Sequence, residues 1–235
     1  MSVVAFDIET DGLFDGDTPP AITCCATRLV ADGGHHLRTF HSNYAAAMTA
    51  ATMVDVVEYL YALHRTGTTI VTFNGGGFDF KVLHAHLRED PKMHVMVSTL
   101  AREHVDLMFE FVCRYGYYAS MNSFASGSGL TEKTGSGADA IGMWVGSTAN
   151  MASRAAVLAY CGNDVRCLAE LYAHVVKCGG TVQRTTKRGH VRDVRFACPP
   201  ITVAAAAKLY RAEPPDNGWL SDPPDVLGAL TWAGI

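Results

Sequence analysis

Apolar and β-branched residues run almost without a break from position 3 to 8 and give way to a polar, glycine-containing stretch, the pattern of a buried strand. Two further strand-like runs, 21–30 and 36–41, flank Ala31-Asp32-Gly33-Gly34, a turn composition, and the three predict an antiparallel meander. Over 45–64 the apolar positions Met48, Ala51, Val54, Val57 and Tyr61 recur at helical spacing. A β-branched run at 68–73 follows, then helical periodicity over 78–87. Strand, helix-length crossover and strand make a βαβ unit, so the expected architecture is α/β, a mixed sheet with helices packed on it.

The middle of the chain is less patterned. Residues 106–114 fit a helix, whereas 120–137 (SMNSFASGSGLTEKTGSG) is rich in Gly and Ser, and its second half reads as a mobile loop. A long helix over 151–176 carries Val157, Tyr160, Asp164, Leu168, Leu171 and Val175 on one stripe. Two alternating runs, 181–186 and 190–196, surround Lys187-Arg188-Gly189 and predict a β-hairpin. Beyond Pro199-Pro200 lie a short helix at 203–211 and a Pro-rich tail whose Trp219 and Trp232 are expected to pack on the core. No internal repeat is present. The expected division is one unit over 1–178 with 179–235 as an extension packed on it.

Composition narrows the class. With 235 residues, 49% of them hydrophobic and 18% charged, and a mean hydropathy of +0.10, the chain is not of the disordered or fibrous kind. No apolar run approaches the roughly 18–20 residues that cross a bilayer, and the start MSVVAFDIET lacks the layout of a secretion signal. The expectation is an intracellular protein, neither membrane-spanning nor secreted. Its seven cysteines include no CxxC pair, against a disulfide framework or a zinc ribbon, and are expected to be reduced thiols.

Charge changes the picture more. The net charge of −4, from 19 Lys+Arg and 23 Asp+Glu, argues against a polyanionic partner only while it is treated as uniform. Between Lys177 and Arg211 there are eight basic residues against one acid, Asp193, which is +7, while the remainder holds 11 basic and 22 acidic residues, which is −11. A basic segment stands beside an acidic body.

Three acidic features carry candidate chemistry. On a strand, Asp7 and Glu9 project from one face and Phe6 and Ile8 from the other. Two adjacent carboxylates repel unless solvated or joined by a hard cation such as Mg²⁺ or Mn²⁺. Asp79 closes Phe73-Asn74-Gly75-Gly76-Gly77-Phe78-Asp79 at a strand-to-helix junction. It is either a member of a site at the carboxyl end of a strand or a first-turn acid favoured by the helix dipole. Asp164 shares the apolar face of the long helix with Tyr160, four residues earlier. A carboxylate there is costly unless paired or metal-bound, and Arg166 points elsewhere. A distant arginine or a capping role is the alternative.

Together, Asp7-x-Glu9 in FDIETDG, Asn74-x3-Phe78-Asp79 in FNGGGFDF and Tyr160-x3-Asp164 in YCGNDV resemble the three motifs of the DEDD 3′→5′ exonucleases, which have an RNase H-like fold. Ala159 stands where the histidine subclass would carry His, so the chain is similar to the DEDDy branch. Its nearest wording is that of the proofreading domains of family B DNA polymerases and their stand-alone phage, viral and bacterial relatives, helped by His104-Val105-Asp106-Leu107. The resemblance covers about residues 3–177, and no polymerase palm or fingers follow, which implies a free-standing exonuclease.

The resemblance implies two divalent cations, Mg²⁺ or Mn²⁺, about 3.5–4 Å apart. Asp7 would bridge both, Glu9 and Asp164 would complete the site next to the nucleophile, Asp79 would hold the second, and Tyr160 would orient the attacking water. A phenol of pKa about 10 is a poor base at neutral pH. Asn74, Phe78 and Thr10 are expected to bind the terminal nucleotide, Phe78 by stacking or simply by packing. Lys133 either reaches a phosphate or is solvated, and Asp106 is either a peripheral acid of the cluster or a cap. The ten histidines show no zinc spacing. On the hairpin, Arg184, Lys187, Arg188 and Arg192, with Arg195 and His190 nearby, suit phosphate contact without base readout. The expected activity is removal of nucleotides from single-stranded or frayed DNA 3′ ends, beside replication or repair proteins. The rivals are RNA trimming of the RNase D type and a non-catalytic nucleic-acid-binding module.

Overall fold

The strand runs assemble into one mixed five-stranded sheet, ordered β3-β2-β1-β4-β5, in a computed structural model that describes residues 2–30, 36–42, 47–135, 139, 141, 151–213 and 225–235. Strands β1 (Val3–Thr10), β2 (Ile22–Leu29) and β3 (Leu37–Phe40) form the antiparallel meander, with Glu9 opposite Cys24 and Cys25 opposite Phe40. The expected turn at 31–34 lies outside the described residues. Helix α1 (Ala50–Arg65) crosses over to β4 (Thr69–Thr72), which lies parallel to β1, and β5 (Val105–Asp106) pairs parallel to β4.

Alternation along β1 feeds two cores, one on each face of the sheet. Val4, Phe6 and Ile8 pack with α1, α2 (Asp79–Leu87) and α3 (Pro91–Glu103). Val3 and Ala5 pack with α4 (Leu107–Tyr115), α5 (Met121–Ser128) and α6 (Met151–Lys177). The α6 stripe from Val157 to Val175 is buried as its spacing predicts, Asp164 included.

One local expectation changes, and two helices appear where no element was expected. The buried face of α1 is Met53, Val56, Val57 and Leu60, while Ala51 is exposed, so the helix is rotated from the expected stripe. The buried residues are themselves an apolar i, i+3, i+4, i+7 set, and the Thr49 hydroxyl caps the helix start by accepting from the Thr52 amide. Helix α3 had no counterpart in the sequence reading, although its start is well marked: Asp90 Oδ1 accepts from the amides of Lys92 and Met93, and Pro91 occupies the first turn. The first half of the Gly/Ser stretch is helix α5, capped by Ser120 and stopped at Gly129, whose φ is 65°. Residues 136–137 of that stretch lie outside the described residues.

The C-terminal part is tied to the same two cores. Strands β6 (Thr181–Thr185) and β7 (Val191–Arg195) form a separate two-stranded sheet whose Val182 and Val194 join the α4–α6 core. The buried Glu110 carboxylate fixes the exit of the hairpin, accepting from the amides of Ala197 at 2.6 Å and Ile201 at 3.2 Å and from Arg114 at 2.8 Å. Thr202 bridges to Val105 at the sheet edge before α7 (Val203–Ala212). Trp232, in a 3₁₀ turn over Gly228–Ala233, packs on the α1–α3 core. Trp219 lies outside the described residues. Among the described residues, no helix is long and apolar enough to cross a membrane.

Candidate active site

Parallel pairing of β1 with β4 covers only Val3–Ala5 against Thr69–Val71. Beyond it the two strands part and a cleft opens at their carboxyl ends, where sheets of this kind place their sites. The Ile8 amide, left without a β4 partner, donates to Asp79 Oδ1 at 3.0 Å. This bond brings the second acidic motif against the first.

Asp7, Glu9, Thr10, Asn74, Phe78, Asp79, Lys133, Tyr160 and Asp164 line one pocket of about 340 Å³. Residues from β1, from the β4–α2 junction, from α6 and from the loop after α5 therefore meet, although each motif is separate in the chain. Phe78 is half-buried, its ring edge against Phe14 with centroids 6.5 Å apart. The Thr10 hydroxyl donates to the Gly12 carbonyl at 2.7 Å. Lys133 is anchored by its amide on Asn122 Oδ1 at 2.8 Å. Its ammonium forms an ion pair with Asp164 and lies 5.5 Å from the centre of the Tyr160 ring. The partner that burial of Asp164 demands is thus this lysine rather than a distant arginine.

The electrostatics are those of crowded acids out of water. Burial raises Asp7 well above the usual carboxylate range, and Asp79 and Glu9 add to the rise. Burial and Asp164 push Glu9 up to about 8. Burial pushes Asp79 up to about 7 against the opposing Ile8 amide. Asp164 is raised by burial and held back by Lys133. The Tyr160 phenol is also raised, mainly by burial, and stays protonated at neutral pH. Neither its hydroxyl nor Asp164 Oδ1 has a hydrogen-bond partner of good geometry. Clustered hard oxygens with raised pKa values and an orphaned carboxylate oxygen fit divalent cations of the Mg²⁺ or Mn²⁺ type.

The glycine-rich loop owes its shape to close approaches. Asn74 has φ 78°, a left-handed conformation that is rare outside glycine. A Cβ on Gly75 would stand 2.4 Å from Thr72 Oγ1, and one on Gly77 would stand 2.6 Å from Asn74 Oδ1. Asp106 does not line the acid pocket. Its carboxylate instead accepts from the amides of Asn74 (2.9 Å), Gly76 (3.0 Å) and Phe109 (3.0 Å). Although burial opposes ionisation, His104 and these amides hold its pKa below the usual value. Of the two alternatives for Asp106, peripheral acid or cap, these bonds are those of a cap: it caps α4 and braces the loop, while its charge adds to the rise of Asp79.

Sequence reasoning missed Leu13, which is 74% exposed and lines the same pocket, and Cys161, whose sulfur groups with carboxylate oxygens of Asp7 and Glu9 within 4.8 Å. Cys161 follows Tyr160 directly, which was the available signal. A hydrogen bond with Cys24 and burial keep it a thiol, so it is a packing neighbour and not an anionic ligand. Arg184, Lys187, Arg188 and Arg192 lie apart, around a different groove.

A family model described as the RNase_H superfamily matches residues 4–176. The chain belongs to the RNase_H superfamily. Its RNase_H fold is similar to part of the family B DNA polymerase of the hyperthermophilic archaeon Pyrobaculum calidifontis, at 18% identity and a TM-score of 0.56, over 74% of this chain and 24% of that one. The chain thus spans about a quarter of the polymerase's length. It is also similar to exonuclease I in a product-bound structure, at 12% identity and a TM-score of 0.45, over 75% of this chain and 43% of that one. A third similar structure is a 3′-exonuclease recognising the 3′ end of the histone mRNA stem-loop, at 9% identity and a TM-score of 0.45, over 86% and 96% of the two chains. No curated protein matches the chain.

Proposed function

We propose that this RNase_H superfamily member is a divalent-cation-dependent 3′→5′ exonuclease of the DEDDy type. It removes nucleotides one at a time from single-stranded or frayed 3′ ends, preferentially of DNA, and releases 5′-mononucleotides. The observation that carries the reading is the convergence of Asp7, Glu9, Asp79 and Asp164 on one pocket, with Tyr160 beside them.

Asp7, Glu9, Asp79 and Asp164 would hold two cations, Mg²⁺ or Mn²⁺, which supply neutralisation of charge on the attacking and leaving oxygens. Everything else falls to side chains. The Tyr160 hydroxyl, protonated at neutral pH, orients the attacking water by hydrogen bonding and does not act as a base. Asn74 and Thr10 hold the terminal nucleotide at the pocket mouth, and Phe78 offers it a partly exposed ring face. Lys133, released from Asp164 when the acids are neutralised, is placed to meet a phosphate oxygen. Residues 1–178 act as the exonuclease domain and 179–235 as its extension, in an intracellular setting beside replication or repair proteins.

The test is degradation of 5′-labelled single-stranded DNA and RNA of one sequence, with Mg²⁺ or Mn²⁺, beside EDTA and Asp7→Ala controls. A descending ladder lost in both controls is expected, stronger on DNA. Release of the label as a mononucleotide would show the opposite polarity, and binding without cleavage would refute the enzyme.

A further inference from the structure

The hairpin and the segment after α4 enclose a groove of about 910 Å³, walled on one side by Tyr117 and Tyr118 and on the other by Arg184, Lys187, Arg188 and Arg192. The sequence marks the ribbon as basic but does not pair it with the tyrosines. Arg184 stands directly opposite Arg192, so both share the ribbon face that carries Val182 and Val194 nearer the root. That face is apolar where the core covers it and cationic where it leaves the core.

Like charges directly opposite each other on a ribbon are unfavourable. Arg184 is compensated: its Nη2 donates to the Tyr117 hydroxyl at 2.8 Å, and its guanidinium lies 5.0 Å from the centre of that ring. Lys187, Arg188 and Arg192 are exposed and make no ion pair among the described residues. Asp193, an acid at the groove edge, accepts from Gln183 on the opposite ribbon face at 3.1 Å. Tyr118 leaves 57% of its surface in solvent beside these cations. Rings and unpaired cations interleaved in a trough form a surface suited to stacked bases and a phosphate backbone.

One small cleft has a lining residue in common with the trough and another with the acid pocket. Tyr118 also lines a small cleft of about 30 Å³ with Asn74 and Gly77, and Asn74 lines the acid pocket. The ribbon itself is held firmly. Ser128 Oγ donates to the Gln183 carbonyl at 2.9 Å, and the Arg195 amide donates to the Tyr115 hydroxyl at 2.6 Å.

We infer that this groove is a second binding site, for a single strand of nucleic acid upstream of the 3′ end that enters the acid pocket. Bases stack on Tyr118 and on the Tyr117–Arg184 pair, while Lys187, Arg188 and Arg192 hold phosphates. A duplex hides its base faces, so the groove selects unpaired strands. The inference rests on the exonuclease reading for which end of the strand enters the acid pocket.

The experiment is fluorescence anisotropy with the full chain in EDTA, using a trinucleotide, a dodecamer and a blunt duplex, as DNA and as RNA. The dodecamer is expected to bind at least about tenfold more tightly than the trinucleotide. The double change Arg188→Glu and Arg192→Glu abolishes that gain and lowers the salt slope of log K by about 1.4, two phosphates on a single strand. Tyr118→Ala weakens dodecamer binding roughly 5- to 150-fold, while Tyr118→Phe retains it. Comparison of the DNA and RNA arms shows which sugar the groove accepts. Unchanged dodecamer affinity and salt slope in these variants, or equally tight binding of the blunt duplex, overturns the inference. Binding in EDTA needs no hydrolysis. A protein that shows this pattern but degrades nothing refutes the exonuclease reading alone, and one that degrades DNA without any gain from length refutes the groove alone.

Discussion

Asp106 holds Asn74 in its left-handed conformation: Oδ1 accepts the Asn74 amide at 2.9 Å, with φ of Asn74 at 78°. The same carboxylate takes the Gly76 amide on its other oxygen at 3.0 Å. An acid across the sheet edge, outside the pocket, thereby fixes the loop that delivers Phe78 and Asp79.

Asp106→Asn is close in shape but turns an N–H group toward one of these amides, leaving a buried donor facing a donor. The variant is expected to lose about 1–3 kcal/mol of stability and to lower kcat on single-stranded DNA more than it changes binding. Thermal melting and single-turnover kinetics read the two effects. Unaltered kcat would show that the loop does not depend on this brace.

Glu9 near 8 and Asp79 near 7, with Asp7 and Asp164 raised as well, make the metal-free protein's stability pH-dependent. A carboxyl whose folded pKa is raised stabilises the fold fully below its unfolded value, and that contribution is lost as pH rises through the folded value. The EDTA-treated protein is therefore expected to melt at progressively lower temperature from about pH 4.5 to 8. Mg²⁺ binds the deprotonated acids, so it should restore the melting temperature most at the upper end. Calorimetry across this range checks it, and a flat metal-free profile would be incompatible with the crowded acids.

Lys133 supplies positive charge to Asp164 and Asp7 in the metal-free protein. Lys133→Met should lower the melting temperature in EDTA at pH 8 and lose most of that deficit in saturating Mg²⁺. A deficit that persists undiminished with Mg²⁺ would mean that the lysine serves packing rather than charge. Hydrolysis by this variant is expected to fall through weaker phosphate contact, seen as a raised KM.

Gly127 lies so close to the ribbon that a Cβ there would stand 2.4 Å from the Arg184 Cα, a backbone atom that cannot step aside. Gly127→Ala should cost about 1–3 kcal/mol by overpacking. Limited proteolysis should then cut within 186–190 sooner than in the parent, and dodecamer binding should weaken with it.

Much of the layout was legible in short-range pattern. Period-two alternation put Asp7 and Glu9 on one face of a strand, and i,i+4 spacing put Tyr160 beside Asp164; both follow from local geometry alone. The meander, the crossover and the hairpin were legible because each is written in consecutive residues. Helix α5 was not, because Gly127, which weakens a helix intrinsically, is required by the backbone of β6. The α1 face was misjudged because the helix offers two overlapping apolar stripes, and packing on the sheet buries the one through Met53, Val56, Val57 and Leu60.

By itself, then, the chain determines which residues share a strand face or a helix stripe, and that its acids and its basic segment are separated in sequence. Only the tertiary structure decides that β1 and β4 part beyond Ala5, that Asp79 takes the Ile8 amide, that Lys133 answers Asp164, and that Tyr118 lines one groove with the basic ribbon. Backbone periodicity dictates where a side chain points within a turn or two. Which distant group it meets depends on how strands diverge and helices pack, and no local repeat carries that information.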